Sequence, residues 1–291
     1  MFALLLATLT QSLTLIPLAL GINLSYTILR ATDMTIDGSF VLGAGVFAQL
    51  VTLGFSPYLA FVAALVCGAL AGSFTAFLQN GGKVDPLLAG ILSSFILYSV
   101  NMVVMGRPNI NLLTTPTLFS AAFVHSSVWG WLSVALLIAM IVIAFYSVLQ
   151  SRVGLSLRAF GDNAPLLARQ GYPVTRLRVM GFGLNNLLAA ASGAITAQII
   201  GYADIGMGVG MTLIGIGAIV LGQHLILPFI HRHYLRAGSE LIAAFVGIAL
   251  YFFILNGLLR LNINPIYLKL LLGVLLALFL RTATQKARLS S

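Results

Sequence analysis

Long runs of apolar residues follow one another along almost the entire chain, with only short polar stretches between them. A run of about 20 apolar residues is long enough to cross a bilayer as a helix. Lipid leaves unpaired backbone groups unsatisfied, so runs of this length must be helices rather than isolated strands. Only 7% of the residues are charged, whereas soluble domains usually carry about 25%. The sequence therefore predicts an all-α, polytopic transmembrane bundle that forms one domain over residues 1–291.

Counting the apolar runs gives about nine predicted spans. They lie near residues 2–29, 39–54, 57–79, 86–105, 128–149, 179–202, 208–222, 241–259 and 265–280. The second and seventh runs are short and rich in glycine, so each is expected to be a broken or re-entrant helix. No basic flank precedes the first run, which distinguishes it from a secretory signal and indicates a retained span.

The basic residues are distributed unevenly among the predicted loops. The segment 151–178 holds Arg152, Arg158, Arg169, Arg176 and Arg178. Short cytoplasmic loops carry an excess of Lys and Arg, so this segment is expected to be cytoplasmic. Alternation of the spans then leaves only Arg107, Arg260 and Lys269 outside, with the N-terminus external and the C-terminus cytoplasmic. The basic residues lie in loops and do not alternate with aromatic residues on a helix, so nucleic-acid binding is not expected.

Two stretches of the chain resemble each other. When residues 37–45 are laid on residues 209–217, three glycines in each coincide. Later in each half, Asp85-Pro86 and Asn264-Pro265 open a predicted span. An odd number of spans separates the copies, so a duplication would be inverted, as in many transporters. The alternative is a chance match, because the chain contains 29 glycines.

Residues for enzymatic chemistry are scarce. The six acidic residues form no helical metal-ligand pair with histidine, and Cys67 is the only cysteine. His224, His231 and His233 cluster in a basic loop that needs no metal to explain it. The chain also lacks a Gly-x-x-x-x-Gly-Lys-Ser/Thr phosphate-binding loop, so ATP hydrolysis at such a site would require another polypeptide. Neither an enzyme nor a metal site is predicted.

A short helix is predicted inside the segment 151–178. Asp162 or Asn163 can cap its first turn, where Pro165 sacrifices no internal hydrogen bond. Gly171 is expected to end it. Taken alone, this pattern also fits a solvated loop helix.

Ionisable and amide residues within the apolar sequence are the candidates for a translocation pathway. Intramembrane ionisable groups are usually paired or face a cavity, so the stretch from Arg30 to Ser39 is a candidate gate. Alternatively it is an interfacial turn, in which Asp37 caps the following helix and Arg30 extends to lipid phosphate. Amides can line the pathway or link helices by hydrogen bonds. The candidates are Arg30, Asp33, Asp37, Gly38, Ser39, Asn101, Asn185 and Asn186.

Several motifs together resemble a known family. The stretch 158–163, followed by Ala168 and Gly171 and by the small-residue stretch 181–193, looks like the coupling segment of the ABC-transporter permeases for branched-chain amino acids and simple sugars. The stretches 33–44, 85–91 and 106–110 are similar to a branch linked to aromatic amino acids and other small organic solutes. The resemblance extends from residue 24 to residue 280.

This resemblance implies a permease subunit of an importer in the bacterial inner membrane. Its partners would be a second permease subunit, expected to form a homodimer, cytoplasmic subunits that bind ATP and Mg, and an extracytoplasmic solute-binding protein. No cofactor would be bound by this chain. The segment 151–178, called the coupling segment below, would contact the ATPase through Arg158, Gly161, Asp162, Asn163, Ala168 and Gly171.

Two points stand against a simple assignment to this family. Pro165 departs from the family pattern at the start of the expected docking helix. A secondary transporter coupled to an ion gradient would also have inverted repeats and broken helices. Such a transporter would need no ATPase, so binding of an ATPase subunit distinguishes the two.

Overall fold

The chain is helical almost throughout. The computed structural model describes residues 2–79, 84–119, 128–226, 236–261 and 273–274. Nine α-helices lie in these ranges: α1 Phe2–Asn23, α2 Ile36–Thr52, α3 Pro57–Leu78, α4 Pro86–Met105, α5 Val128–Gln150, α6 Arg152–Arg169, α7 Val174–Ile200, α8 Met211–Ile226 and α9 Arg236–Arg260. A π-helical turn, Leu24–Ile28, follows α1.

Five helices within the described ranges are long and apolar enough to cross a membrane. They are Pro57–Leu78, Pro86–Met105, Trp129–Gln150, Val174–Ile200 and Glu240–Arg260. The second and seventh predicted spans correspond to the shorter apolar helices α2 and α8. The ninth predicted span, 265–280, lies outside the described residues except for 273–274. The prediction of an all-α, polytopic membrane protein is confirmed.

The chain divides into two compact units. The larger unit is Thr14–Gly215, and the smaller combines Met1–Leu13 with Ile216–Ser291. In the smaller unit, a Cβ on Gly222 would overlap the carbonyl oxygen of Ala243, so the backbones of α8 and α9 touch there. The single domain predicted over 1–291 stays a prediction.

Helix α7 is the centre of the larger unit, with α2 and α3 packed against it. A Cβ added to Gly43 of α2 would overlap the carbonyl oxygen of Ala190 in α7. A Cβ on Gly72 of α3 would likewise overlap the carbonyl oxygen of Phe182. Small residues let membrane helices approach this closely. The stripe on α3 with a four-residue spacing, Ala64, Gly68, Gly72 and Ala76, is buried within the unit and is therefore an internal contact.

An irregular stretch separates α2 from α1, and α2 starts beside the middle of α4. Between the π-helical turn and α2 the backbone is irregular from residue 29 to 35, and Arg30 has φ of 51°. A Cβ on Gly38 would lie 2.8 Å from Cβ of Leu97, which is near the midpoint of α4. The Asn101 amide also donates to the carbonyl oxygen of Gly38 at 3.0 Å. This arrangement agrees with the expectation of a broken or re-entrant helix for the second span.

Two short strands were not expected from the sequence. Strand β1, Asn109–Asn111, pairs antiparallel with β2, Tyr202–Asp204. Ile110 pairs with Ala203, and both are fully buried. Three residues are too few to give a recognisable alternating pattern, which is why the sequence does not reveal them.

The ends of the helices in the larger unit separate into two groups. Arg178, near the start of α7, donates to the carbonyl oxygen of Gln79 at the end of α3, at 2.9 Å. Arg30 meets the coupling segment at this same end. The sheet follows the other end of α7, about 40 Å away at 1.5 Å per residue. Arg30 and Arg178 thus lie at one end, as the charge distribution predicts.

Candidate functional site

The coupling segment contains two helical pieces joined by a break at Asn163. This residue lies within α6 but has non-helical angles, φ −157° and ψ 81°. Its side-chain oxygen accepts a hydrogen bond from the Leu166 backbone amide at 3.0 Å. Asn163 therefore caps the second piece, and Pro165 lies in its first turn, where proline is tolerated.

The second piece ends as expected at Gly171. This glycine has φ of 81°, and its amide donates to the carbonyl oxygen of Ala168 at 3.1 Å. The Tyr172 amide donates to the carbonyl oxygen of Leu167 at 3.1 Å. The stretch Arg152 to Asp162 is also helical, although no helix was expected there. Its buried positions, Gly154, Leu157 and Phe160, recur every third residue. This spacing is typical of one face of a helix and is visible in the sequence.

The inner face of the coupling segment packs against the end of the first span. A Cβ on Gly161 would overlap the carbonyl oxygen of Ile28. Leu157 is fully buried, and a Cβ on Gly181 of α7 would lie 2.7 Å from the Leu29 side chain. Gly161 therefore contacts this chain's own backbone, so the close approach explains a glycine there without any partner protein.

The outer face of the coupling segment is exposed. It carries four of the six residues predicted to contact an ATPase, namely Asp162, Asn163, Ala168 and Gly171. Leu155 is 60% exposed and Leu166 48% exposed beside them. Arg158 is half-buried, and two of its guanidinium nitrogens have no hydrogen-bond partner within the part of the chain that the structure describes. The surface therefore combines apolar side chains with polar groups.

Asp33 is buried at the centre of a polar link between segments. Its carboxylate accepts hydrogen bonds from the side-chain amides of Asn185 and Asn186, at 2.8 and 2.7 Å, and from the Thr35 backbone amide at 2.9 Å. Asn186 also donates to the carbonyl oxygen of Phe182. Three N–H donors thus compensate a carboxylate that is only 1% exposed. These asparagines join α7 to the irregular segment.

The neighbouring residues fix the same segment to two further helices. The carbonyl oxygen of Met34 accepts a hydrogen bond from the Ser94 hydroxyl of α4. The hydroxyls of Thr35 and Thr75, the latter in α3, are 2.9 Å apart. Residues 33–35 are therefore held by α3, α4 and α7 together.

Asp37 does not cap its own helix. Thr35 occupies the N-cap position of α2, without a side-chain capping bond. The Asp37 carboxylate instead accepts hydrogen bonds from the backbone amides of Gly210 and Thr212, at 2.9 and 2.7 Å, and from the Thr212 hydroxyl at 2.6 Å. It therefore caps the start of α8, and the prediction of a local cap is corrected. The starts of the two proposed repeat copies meet here, and the duplication itself stays a prediction.

A cavity of about 690 Å³, called the α2–α4 cavity below, adjoins Asp37. Its lining residues are Met34, Asp37, Gly38, Val41, Ile91, Ser94, Phe95, Tyr98, Asn101, Ile205, Gly208 and Val209. Three of the predicted pathway residues, Asp37, Gly38 and Asn101, are among them. The other five are not in this lining: Arg30 is at the coupling segment, Asp33, Asn185 and Asn186 form the buried link, and Ser39 is fully buried.

The cavity offers aromatic and apolar walls with little free charge. Phe95 is 72% exposed and Tyr98 56% exposed. The Asp37 carboxylate already accepts three hydrogen bonds, and the Asn101 amide nitrogen is bonded to Gly38. Ile91, Phe95 and Tyr98 were missed as candidates, although their spacing of four and three residues places them on one face of a helix. The arrangement suits a small, partly apolar solute.

Potential metal ligands do not gather in the part of the chain that the structure describes. No group of three His, Cys, Asp or Glu side chains comes together there. His231 and His233 lie outside the described residues.

A family model described as the permease component of a branched-chain amino acid transport system matches residues 4–280. The match includes the coupling segment and every residue of the α2–α4 cavity. The chain belongs to this permease family. The permease is thus a membrane transport protein, in agreement with its apolar helices.

Three relatives illustrate the range of the family. The permease is 42% identical to an uncharacterised protein of Rickettsia prowazekii (strain Madrid E) over 97% of this chain and 98% of that one. It is 32% identical to a tyrosine transport system permease protein of Clostridioides difficile (strain R20291), over 95% and 90%. It is 29% identical to an autoinducer 2 import system permease protein of Escherichia coli O9:H4 (strain HS), over 72% and 60%. No solved structure matches the permease.

Proposed function

We propose that this chain is the membrane-spanning subunit of an ATP-binding-cassette importer. An extracytoplasmic binding protein delivers a small solute, and cytoplasmic ATPase subunits that hold ATP and Mg drive its passage. The permease itself carries out no hydrolysis. Family membership supports the transport role, and the coupling segment supports the ATPase partner.

The coupling segment is attached to the rest of the chain on one side and exposed on the other, and this supports the proposal most directly. The Gly161 backbone packs against the end of the first span. Leu155 and Leu166, in the same segment, are exposed. A fixed helix between two spans can transmit force, whereas a floppy loop cannot. A protein partner docked on this exposed and largely polar segment would cover both leucines. An ATPase docked on this face explains both features.

The proposed solute is an amino acid or a comparable small organic molecule. A tyrosine transport permease is among the relatives, and the α2–α4 cavity has aromatic walls at Phe95 and Tyr98. The Asp37 carboxylate accepts three hydrogen bonds from the start of α8, so among the described residues that line the cavity no carboxylate is left free to bind a cation tightly. The binding protein would select the solute, and the permease would provide a path of weak affinity.

A second permease subunit is expected to complete the pathway. The α2–α4 cavity is open, and the side chains of α4 that line it, Ile91, Phe95 and Tyr98, are exposed in the single chain. A second copy of this chain facing α4 would enclose the solute. The proposed location is the bacterial inner membrane, with the N-terminus outside and the C-terminus in the cytoplasm.

Substitution of Leu166 tests the ATPase contact. We expect Leu166→Asp to reduce co-purification of the ATP-binding subunit at least about tenfold, because a carboxylate would be buried against an apolar partner surface. The permease should still accumulate in the membrane, since Leu166 is 48% exposed. Leu113→Asp is the matched control, because Leu113 is 67% exposed beside β1, at the other end of the unit. Equal co-purification of the wild type and Leu166→Asp would contradict the proposed docking face.

A further inference from the structure

The coupling segment and the residues that precede α2 are joined at one place. A guanidinium nitrogen of Arg30 lies 2.8 Å from a carboxylate oxygen of Asp162. At the adjacent residue, the Gly161 backbone approaches Ile28 so closely that a Cβ would overlap its carbonyl oxygen. Two consecutive residues of the coupling segment therefore hold the chain on both sides of Leu29.

The backbone departs from regular helix on each side of this junction. Leu24–Ile28 forms a π-helical turn, and Arg30 has φ of 51°, which is uncommon for a residue with a side chain. On the coupling segment, Asn163 breaks α6 directly after Asp162. Such backbone irregularities cost free energy and often occur where a structure changes shape. The ion pair thus connects two breaks in the backbone.

Beyond Arg30, the chain is anchored at successive residues. Asp33 is bonded to α7, Met34 to α4 and Thr35 to α3. Asp37 follows at once, lines the α2–α4 cavity and caps the start of α8. Residues 33–35 are thus fixed to three helices, and the short stretch from Arg30 to Asp37 connects the ion pair to the cavity wall.

We propose that the ion pair between Arg30 and Asp162 transmits movement of the coupling segment to the wall of the α2–α4 cavity. Arg30 and Asp162 are then positioning residues: they touch no solute, and they determine how well ATPase motion opens and closes the cavity. This inference rests on the proposed importer function. The ion pair would connect the docking face mechanically to the cavity wall, a connection that family membership alone does not indicate.

The ion pair contributes little to folding by itself. The Arg30 and Asp162 side chains are 62% and 69% exposed, and an ion pair this exposed is weakened by water and salt. Variants of either residue are therefore expected to accumulate in the membrane with unchanged melting temperature. A loss of coupling can then be separated from a loss of fold.

The test uses charge reversal in the complete transporter. The permease, its ATP-binding subunits and its binding protein are reconstituted in liposomes, and solute uptake and ATP hydrolysis are measured together. Arg30→Asp and Asp162→Arg should each lower the solute transported per ATP hydrolysed at least threefold. The double variant, which restores an ion pair in reversed order, should recover to within about twofold of the wild type. Asp is compatible with the positive φ at position 30.

Controls separate the possible failures. Arg260→Asp, an exposed reversal in the last turn of α9, should retain the wild-type ratio. If a reversal variant does not accumulate, Arg30→Gln and Asp162→Asn replace it, with the same expected loss. Single variants with a wild-type ratio, or a double variant that recovers nothing, would overturn the inference while leaving the importer function intact. No ATP-driven uptake by the wild-type complex would instead overturn the proposed function.

Discussion

Among single residues, Asp33 has a carboxylate that depends closely on its neighbours. It is almost completely buried, and two of the three N–H groups that donate to it belong to asparagine amides that are adjacent in α7. A buried acceptor that loses its donor keeps the full cost of leaving water. The contribution of each asparagine to the free energy of unfolding therefore depends on whether the carboxylate is present.

This dependence predicts a strong coupling between Asp33 and Asn186. We expect Asn186→Ala to cost about 1 kcal/mol or more in the wild-type background. In a chain of 291 residues, that corresponds to a fall in apparent melting temperature of about 1–2 °C in detergent. In an Asp33→Ala background the same change should cost clearly less, because no carboxylate remains to be compensated.

The control for this cycle is Ser99→Ala, a polar-to-alanine change at an exposed position of α4. It should cost the same in both backgrounds. Additive costs for Asn186→Ala and Asp33→Ala would show that the hydrogen bond observed between them does not stabilise the link.

At the scale of elements, glycine positions decide how closely the helices pack. Gly43 allows the backbone of α2 to touch α7 at Ala190, so any side chain there must push the helices apart. Gly257 in α9 is different, because no atom of the described residues lies within 4 Å of a Cβ built there. The two glycines are indistinguishable by residue type, and only their surroundings separate their roles.

The expected results for alanine at these positions are opposite in sign. Gly43→Ala should destabilise the permease by about 1–3 kcal/mol, because the added methyl group overlaps backbone. Gly257→Ala should be neutral or slightly stabilising, since alanine favours helix. Thermal unfolding in detergent compares the two directly. A Gly43→Ala protein as stable as the wild type would mean that α2 and α7 are not in backbone contact.

Elements with local signals were predictable from the sequence. Helix α4 begins and ends where predicted, because Asp85 caps it and Gly106 terminates it in a left-handed conformation. The cap at Asn163 and the stop at Gly171 are of the same kind. Each depends on residues within one turn of the helix end.

Features that depend on distant parts of the chain were not predictable. Asp37 caps a helix start more than 170 residues away, and nothing around it indicates that partner. The pairing of β1 with β2 joins the ends of α4 and α7, which only the packed helices bring together. The sequence identified the polar residues of the candidate site but not which of them line the cavity. Whether a polar residue lines the cavity or forms the buried link depends on tertiary contacts, such as the hydrogen bond between Asp33 and Asn185.

At the scale of the whole molecule, the orientation in the membrane decides where an ATPase can dock. The structure groups Arg30, Arg178 and the coupling segment at one end of the larger unit. An excess of Lys and Arg predicts that this end is cytoplasmic. An ATPase can dock on the exposed Leu166 only if this assignment is right.

Cysteine labelling tests the orientation. In a Cys67→Ala background, Ser56→Cys marks the loop between α2 and α3, and Gln170→Cys marks the coupling segment; both positions are exposed. A membrane-impermeant maleimide added to spheroplasts should label position 56 and should label position 170 only after lysis. The reverse pattern would place the coupling segment outside and exclude the proposed docking.

In the proposed importer, ATP hydrolysis on a partner drives solute through this chain. The most direct test places the permease in liposomes with ATP-binding subunits and a solute-binding protein encoded by neighbouring genes, and follows uptake of labelled solute. Uptake should begin on addition of Mg and ATP, require both partners, and persist when ion gradients are dissipated. Uptake by the permease alone, driven by an imposed ion gradient and indifferent to ATP, would contradict the account.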